Sequence, residues 1–493
     1  MKKATRKFLK QQLLIINNMH WLDLSIFVIY LAAVLGVGFY FLRRNKTTDD
    51  YFVGGRKMSS LHIGLSVVAT DVGGGFSIGL GGLGFVMGIS GSWLLFTGLI
   101  GAWLSAVLLI PKVSDMARAK GLLSFPQFLE AVYDKKVALI AGVISAIGYL
   151  GFTSSQILAG AKLASATFSD LSLNQALLIM GVIAVTYTVV GGLKAVIYTD
   201  TIQWIVLLSG LILIGIPISY IKLGGFEAIK QTVAPEFLRL DNVSWQQIMN
   251  WMFTIIPIWF IGMTLYQRIY ASKDRKTAQR AWLIAGFFEY PIMAFTGVIL
   301  GMFAKVALDA GLLSEFASGE IIDPEMGLPA LLRTLLPVGL MGIVLSAYFS
   351  AIMSTADSCL MASSGNIITD ILRKHESKNS LRLSQLFTLI VGVTALFLAM
   401  KMPNVLELML YSYSFMVSGM IIPVVVALFT RKPDKLASLW SMISGGSVTF
   451  ALIVSGLDLP WGLDPIIYGI TASVLLYLII YLINHRLTPS RLN

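Results

Sequence analysis

Long apolar runs separated by short polar segments make up most of this chain. The runs reach or approach the ~20 residues that an α-helix needs to cross the hydrocarbon layer of a membrane. They lack the alternation of apolar and polar positions that marks the strands of a transmembrane barrel, so we expect helices as the spanning elements. The pattern predicts about thirteen spans, near residues 22–42, 61–88, 90–111, 137–165, 174–192, 196–221, 248–270, 281–306, 332–372, 384–400, 404–430, 436–456 and 463–484. The ninth window is too long for one span, so a separate short helix is expected at its start, around residues 328–336.

Basic residues between these runs predict the orientation of the chain. They are concentrated in alternate loops, and loops rich in lysine and arginine remain in the cytoplasm. The loop after the seventh span, for example, holds Arg268, Lys273, Arg275, Lys276 and Arg280. We therefore expect the N-terminus outside and the C-terminus in the cytoplasm. The N-terminal extension, residues 1–21, is also basic and runs against this trend, which leaves open whether translation starts at Met1 or Met19.

The composition is that of an integral membrane protein. Apolar residues make up 56% of the 493 positions and charged residues 13%, against roughly 25% charged residues in a soluble domain. The net charge of +11 lies mainly in short loops, so it predicts topology and not nucleic-acid binding. The chain has one cysteine, Cys359, and four scattered histidines, which offer neither a cysteine-based metal site nor a catalytic constellation. We therefore expect no enzyme activity and no organic cofactor.

Acidic residues inside the apolar runs are the first indication of function, because an unpaired charge in a membrane costs several kcal/mol. The clearest cases are Asp71, Asp200, Asp357 and Glu407, whereas Lys162, Lys194 and Glu289 are closer to span ends or less certain. Each acid could instead form a structural ion pair between helices. The sequence alone leaves both interpretations open.

Asp71 is followed almost at once by three glycines, Gly73, Gly74 and Gly75. A helix interrupted there exposes backbone carbonyl groups within the membrane, which is tolerated where they line a cavity or hold a ligand. Such carbonyls, combined with a hydroxyl or carboxylate, suit a small cation. The alternative is that the glycines only allow close packing of helices.

Two further segments carry polar groups inside apolar runs. Ala351, Ser354, Thr355 and Ser358 are spaced to share one face of a helix, with Asp357 beside them. These hydroxyls could complete an oxygen shell around a cation, or they could bond to their own backbone. Near the start of the sixth span, the carboxylate of Asp200 could form a second cation site, a proton site or a structural pair.

Four motifs make the chain resemble the sodium/solute symporter family, in particular the bacterial proline, pantothenate and choline carriers. They are DDYFVGGR at 49–56, SVVATDVGGG at 66–75, YTVVGGLKAVIYTD at 187–200 and AIMSTADS at 351–358. The resemblance implies an all-α membrane fold built on an inverted repeat of five plus five helices, with two discontinuous helices. The first repeat would be 61–221 and the second 248–430. Residues 22–60 would hold the first span and a cytoplasmic loop, and 436–493 the last two spans and the tail.

The same resemblance implies a set of site residues. The second discontinuous helix would break at Pro257 and Gly262. Sodium would be held by the carbonyls of Ala69, Val72 and Ala351 and by the hydroxyls of Ser354 and Thr355. Coupling, or a second ion, would use Asp71, Asp200, Asp357 and Ser358. Candidate solute-binding residues are Gly73, Gly74, Gly75, Phe76, Ser77, Gln156, Trp259, Met263, Tyr411 and Ser414, although packing alone could account for each of the larger side chains.

By this resemblance the protein is a sodium-coupled symporter of the cytoplasmic (inner) membrane that imports a small organic solute by alternating access. Asp71 stands where the choline carriers have a tryptophan, and Gly151 where the sialic-acid carriers have an arginine. An aromatic ammonium cage and an arginine clamp are therefore both missing, and an amino acid such as proline is the first expectation. Proton coupling through Asp71 or Asp200 and a transporter-like sensor are the alternatives. The expected partners are the solute, the co-transported sodium ion and the lipid bilayer; the oligomeric state is open.

Overall fold

A computed structural model describes residues 20–42, 56–71, 73–168, 171–191, 193–313, 323–374 and 380–486. The N-terminal extension as far as residue 19, residues 49–55 of the first motif, and Val72 lie outside the described residues. In the described ranges the backbone is helical apart from turns and one isolated bridge between Met58 and Ser272. The prediction of an all-helical fold is confirmed.

The helices alternate with short connections along the whole described chain. The first half contains α1 (Trp21–Leu42), α2 (Ser60–Asp71), α3 (Gly73–Met87), α4 (Trp93–Leu108), α5 (Ile110–Lys120), α6 (Phe125–Val132), α7 (Lys135–Thr167), α8 (Leu173–Gly191), α9 (Leu193–Ser209), α10 (Ile216–Lys222) and α11 (Gly225–Thr232). The second half contains α12 (Trp245–Ile261), α13 (Met263–Ala271), α14 (Arg275–Phe287), α15 (Ala294–Asp309), α16 (Pro324–Leu335), α17 (Leu340–Asn366), α18 (Ser380–Ala399), α19 (Val405–Phe429), α20 (Lys435–Ser455) and α21 (Pro465–Arg486). The short helix expected near 328–336 is α16.

Aspartates fix the start of two long helices. The Asp134 carboxylate accepts hydrogen bonds from two backbone N–H groups in the first turn of α7, at 2.9 and 3.1 Å. Asp434 does the same for α20, with both distances 2.9 Å. A carboxylate at this position satisfies N–H groups that have no partner inside the helix and interacts favourably with the helix dipole. Polar residues at the ends of apolar runs therefore determine where these helices begin.

Nine helical stretches of the described chain are long and apolar enough to cross a membrane, or ten if the bent pair α12 and α13 counts as one span. Two shorter apolar stretches, Trp21–Tyr30 and Leu173–Thr186, lie in α1 and α8. The chain is thus a multi-pass membrane protein. The count of thirteen spans and the inverted repeat stay predictions.

Among the helix pairs separated by a single residue, two lie where discontinuous helices are predicted. Helix α2 ends at Asp71 and α3 begins at Gly73. The axes of α12 and α13 differ by 42° across Gly262, whose backbone is extended, with φ −63° and ψ 117°. Pro257 lies inside α12, where it lacks the N–H that would bond to the preceding turn. The second break is therefore at Gly262.

The centre of the bundle is formed by α7 and α17, which pack against each other. In the most apolar part of the stretch that begins with α17, 94% of residues are buried, whereas the corresponding figure for α21 is 22%. Helix α21 therefore lies at the perimeter, where apolar side chains face lipid. The hydroxyl-bearing face of α17 is enclosed by other helices.

Candidate ion and solute site at the helix breaks

The junction between α2 and α3 lies against α17. The hydroxyl oxygen of Thr355 is 2.9 Å from the carbonyl oxygen of Ala69 and 3.1 Å from that of Ala351. Gly73 opens α3 with φ +22°, and a Cβ added there would lie 2.1 Å from Thr355 Oγ1. Only glycine permits this close approach. Three of the five residues predicted to bind sodium are thus joined through the hydroxyl of Thr355.

The other two predicted sodium ligands are Val72 and Ser354. Val72 is outside the described residues. Ser354, one residue before Thr355 on α17, donates its hydroxyl to the carboxylate of Asp200 on α9. The structure therefore directs Ser354 toward the residue predicted for coupling, while the Thr355 hydroxyl remains at the helix junction.

Asp200 is fully buried and forms an ion pair with Arg268 of α13, with 3.4 Å between Oδ2 and Nη2. The hydroxyl of Ser66 donates to the same carboxylate at 2.5 Å and accepts from Nε of Arg268 at 3.0 Å. A buried charge requires an oppositely charged partner and hydrogen bonds to its remaining polar atoms. The Asp200 carboxylate is thus compensated by the protein itself.

The interpretation of Arg268 as part of a cytoplasmic basic loop was wrong. Its side chain is entirely buried. Besides Asp200 and Ser66, the guanidinium donates to the hydroxyls of Thr70 and Ser358, the latter at 3.2 Å, and to the carbonyl of Thr264 at 3.2 Å. Helix α13 continues into the bundle after the break at Gly262, so an arginine near the edge of an apolar window lies in the interior. The apolar residues that follow Arg268 were the available signal.

The remaining residues predicted for coupling are only partly brought together. Ser358 contacts Arg268 and lies 3.4 Å from the hydroxyl of Thr70. Asp357 accepts a hydrogen bond from Thr188 of α8, and its Oδ2 has no hydrogen-bond partner among the described residues. Asp200 and Ser358 therefore share one network, and Asp357 points to a different helix.

Asp71, at the end of α2, lies in a second polar cluster. The hydroxyl of Tyr413 on α19 is 3.3 Å from Asp71 Oδ1. The Tyr413 ring packs edge-on against Phe152, with ring centroids 5.0 Å apart, and lies 6.3 Å from the ring of Phe76. The acid at the helix break therefore contacts a tyrosine whose ring packs with aromatic side chains of two other helices.

The carboxyl group of Glu289 interacts with that of Asp71. Glu289 is fully buried in the π-helical segment Phe288–Met293, between α14 and α15, where the backbone at Tyr290 departs from helical geometry. Neither of its carboxyl oxygens accepts a hydrogen bond from the described residues. Sequence reasoning noted Glu289 without a partner, because Asp71 is far from it along the chain.

Several of the predicted solute-binding residues follow directly after the break, at the start of α3. The backbone N–H of Gly75 donates to Gln156 Oε1 of α7 at 3.1 Å, and a Cβ on Gly75 would lie 2.3 Å from Gln156 Nε2. Ser77 donates back to the carbonyl of Gly73 at 2.8 Å. The start of α3 is thus pressed against α7, with Phe76 buried between them and α19. Gly74 lies in the same first turn of α3.

The other predicted solute residues have partners elsewhere. Trp259 packs edge-on against Trp282, with ring centroids 6.3 Å apart. The sulfur of Met263 accepts a backbone N–H from the start of α6 at 3.2 Å. Tyr411 donates to an acid in the first turn of its own helix, at 2.7 Å, and is only half-buried. Ser414 is buried next to Tyr413 along α19. The contacts of Trp259, Met263 and Tyr411 thus lie outside the cluster around Asp71, and Ser414 is close to it only by its position one residue after Tyr413.

A third charged cluster joins three helices near the end of α7. Lys162 is fully buried and lies 2.6 Å from carboxylate oxygens of both Asp323 and Glu325. Glu325, on α16, also accepts the backbone N–H groups of Val405 and Leu406 at the start of α19, at 2.8 and 2.9 Å. Sequence reasoning noted Lys162 but not its partners. Its charge is fully occupied by these two acids.

Comparison with known proteins identifies the family of this chain. The model of the sodium:solute symporter family matches residues 51–445. The chain is 27% identical to the sodium/pantothenate symporter of Escherichia coli over 475 residues, which is 92% of this chain and 94% of that protein. It is 29% identical to the sodium/proline symporter of Escherichia coli over 413 residues, 79% of each chain, and 25% identical to the sodium/glucose cotransporter of Vibrio parahaemolyticus over 485 residues, 90% and 87% of the two chains.

Solved structures support the fold. A sodium-coupled sialic acid symporter in a substrate-bound outward-open state matches with a TM-score of 0.76 at 22% identity, covering 95% of this chain and 98% of that one. A nucleobase-cation-symport-1 family transporter in a closed conformation matches with a TM-score of 0.57 at 14% identity, covering 90% and 97%. The family and its relatives are transporters, which confirms that the chain is a membrane transporter and not an enzyme. Because the family model matches most of its length, the chain belongs to the sodium:solute symporter family.

Proposed function

We propose that this protein is a secondary symporter of the inner membrane that uses the sodium gradient to import a small organic solute by alternating access. The N-terminus would lie outside and the C-terminus in the cytoplasm, as the basic loops predict. The observation that carries the proposal is the contact between Thr355, Ala69 and the first glycine of α3. Hydroxyl and carbonyl oxygens at an interrupted helix are the groups that coordinate sodium in transporters of this type.

Sodium would be held by the carbonyls of Ala69, Val72 and Ala351 and by the hydroxyls of Ser354 and Thr355. Ser354 now donates to Asp200, so its hydroxyl would have to rotate toward the ion. Sodium binding would therefore be linked to the hydrogen-bond network of Asp200. Asp71 lies two residues after Ala69, at the same end of α2. Asp357 and Ser358 would belong to coupling or to a second ion site.

The solute would bind beside the ion, at the start of α3. By fixing the α2–α3 junction, sodium would order Gly73, Gly74 and Gly75 and so raise solute affinity, a coupling of roughly 1–3 kcal/mol in typical cases. The N-terminus of a half-helix attracts a carboxylate. This favours an amino acid such as proline, with Phe76, Ser77, Gln156 and Ser414 around it. Trp259, Met263 and Tyr411 would contribute only in another state of the transport cycle.

Uptake into liposomes tests the proposal. Purified protein should accumulate a radiolabelled solute, L-proline first, when sodium is high outside, and it should fail when potassium replaces sodium at constant pH. Thr355→Ala should raise the sodium concentration for half-maximal uptake by about tenfold, the effect of losing roughly 1.4 kcal/mol of ion binding. The matched control is Ser346→Ala on the same helix, whose hydroxyl bonds to its own backbone at 2.6 Å. Equal sodium dependence in Thr355→Ala and the control would contradict the site.

A further inference from the structure

The buried acids near the helix breaks outnumber the buried cations that face them. Asp71, Glu289, Asp200 and Asp357 are each at least nine-tenths buried. Among the described side chains, the cation beside them is Arg268, and it is paired with Asp200. The other fully buried cation, Lys162, is occupied by Asp323 and Glu325. In their ionised forms these acids carry more negative charge than the described cations neutralise.

The excess is concentrated at Asp71 and Glu289. Their carboxyl groups interact with each other. Apart from this interaction, the described residues donate one hydrogen bond to Asp71, from Tyr413 at 3.3 Å, and none to Glu289. Two like charges in a dry interior repel strongly, and each buried carboxylate requires a donor or a cation. A shared proton or a cationic ligand supplies the positive charge in such an arrangement.

Aromatic side chains connect this acid pair to the predicted solute-binding residues at the start of α3. Tyr413 contacts Asp71 through its hydroxyl and packs against Phe152 and Phe76 through its ring. Phe76 lies three residues into α3, next to the Gly75–Gln156 contact. A group that bridges the two carboxylates would therefore lie against aromatic faces, which attract cations.

We propose that Asp71 and Glu289 form the subsite for an ammonium group of the solute. The inference rests on the proposed symport function and narrows its cargo to molecules with a primary or secondary amine. An ammonium of this kind has at least two N–H groups, so each carboxylate accepts one. Proline fits this requirement, whereas pantothenate and glucose, the cargos in the names of two relatives, carry no amine.

The test compares ligands that differ only in the amine. Binding to the purified wild-type protein in saturating sodium is measured by calorimetry for L-proline, glycine and L-alanine, and for tetrahydrofuran-2-carboxylate, in which an oxygen replaces the ring nitrogen of proline. Pantothenate and glucose complete the panel. At least one amine should bind, and for proline the oxygen analogue should bind about 100-fold more weakly or worse, because it leaves buried acceptors unpaired.

A variant assigns the effect to the acid pair. Glu289→Gln keeps the size of the side chain and should weaken amine binding by about tenfold or more while the sodium dependence of uptake is kept. Glu130→Gln, an equivalent change in an accessible acid that pairs with Arg373, should alter neither. Because the comparison of ligands needs only the wild-type protein, poor folding of the variant would not prevent a decision.

The outcomes separate this inference from the proposed function. If sodium neither binds nor drives uptake of any solute in the panel, the symport proposal fails. If pantothenate or glucose is taken up with sodium and the amines do not bind, symport stands and the ammonium subsite is wrong. The subsite is also wrong if Glu289→Gln alters only the pH dependence of uptake with amine affinity kept, since the pair then holds a proton.

Discussion

The two acid-centred clusters of this transporter differ in how their charge is balanced. Around Asp200, the protein supplies a guanidinium and two hydroxyls, and nearly every donor has an acceptor. Around Asp71 and Glu289, it supplies one tyrosine hydroxyl and no cation of its own among the described side chains. Both clusters lie at a helix break, and both are buried.

The comparison indicates different roles. A cluster whose charges are balanced internally contributes to a fixed arrangement of α2, α9, α13 and α17. A cluster with uncompensated charge is favourable only when a ligand completes it, so it suits a place where cargo enters and leaves. Removing a residue from the first should cost stability, and removing one from the second should cost binding.

Arg268→Ala should have the largest effect. It leaves the Asp200 carboxylate buried without a cation, and breaking a buried pair in this way costs about 3–5 kcal/mol. We expect a clear fall in melting temperature and in the yield of monodisperse protein, measured by fluorescence-detected size exclusion after heating. The double variant Arg268→Ala with Asp200→Asn should recover part of the loss, because the two changes remove both members of one pair.

The control for this prediction is Arg239→Ala. Arg239 also forms an ion pair with an aspartate, Asp241, but both side chains are about two-thirds exposed. An exposed pair contributes little, so the melting temperature should not change. Equal stability of Arg268→Ala and Arg239→Ala would refute the view that the first cluster is structural.

Much of the ion site could be predicted from the sequence because its residues lie in short contiguous motifs. The glycines after Asp71 and the hydroxyls of α17 are local patterns, and helical spacing alone places Thr355 and Ala351 on one face. The structure adds the contact across the bundle, from Thr355 to Ala69. Family resemblance predicted that pairing, and no property of either segment alone could have done so.

The partners that the acids meet in the two clusters could not be predicted from the sequence, for a physical reason. Arg268 looks like a loop residue because hydropathy averages over a window and cannot detect that α13 continues into the bundle after Gly262. Glu289 meets Asp71 only through the packing of α14 and α15 against the first half of the chain. The direction of the Ser354 hydroxyl is likewise set by Asp200, a long-range neighbour.

Asp71→Asn sharpens the contrast, because it should not lower the melting temperature, whereas Asp200→Asn should. The first removes one of two adjacent like charges, so the melting temperature should stay the same or rise. The second leaves Arg268 buried without its carboxylate and should lower it. Asp71→Asn should nevertheless raise the sodium concentration for half-maximal uptake by about tenfold, the equivalent of about 1.4 kcal/mol. Melting curves and uptake of both variants are needed; a large loss of stability in Asp71→Asn would place Asp71 with the structural cluster.

Tyr413→Phe is the smallest of these changes and probes the boundary of the second cluster. It deletes the hydroxyl that donates to Asp71 at 3.3 Å and keeps the ring that packs against Phe152. A hydrogen bond of this kind contributes about 1 kcal/mol, so the solute concentration for half-maximal uptake at saturating sodium should rise about fivefold, with the maximal rate largely kept. Tyr468→Phe is the matched control, since its hydroxyl bonds to the carbonyl of Pro460 near the start of α21. If Tyr413→Phe lowers the melting temperature but not the solute affinity, its hydroxyl positions α19 and belongs with the internally balanced contacts, and the solute must then be held without it.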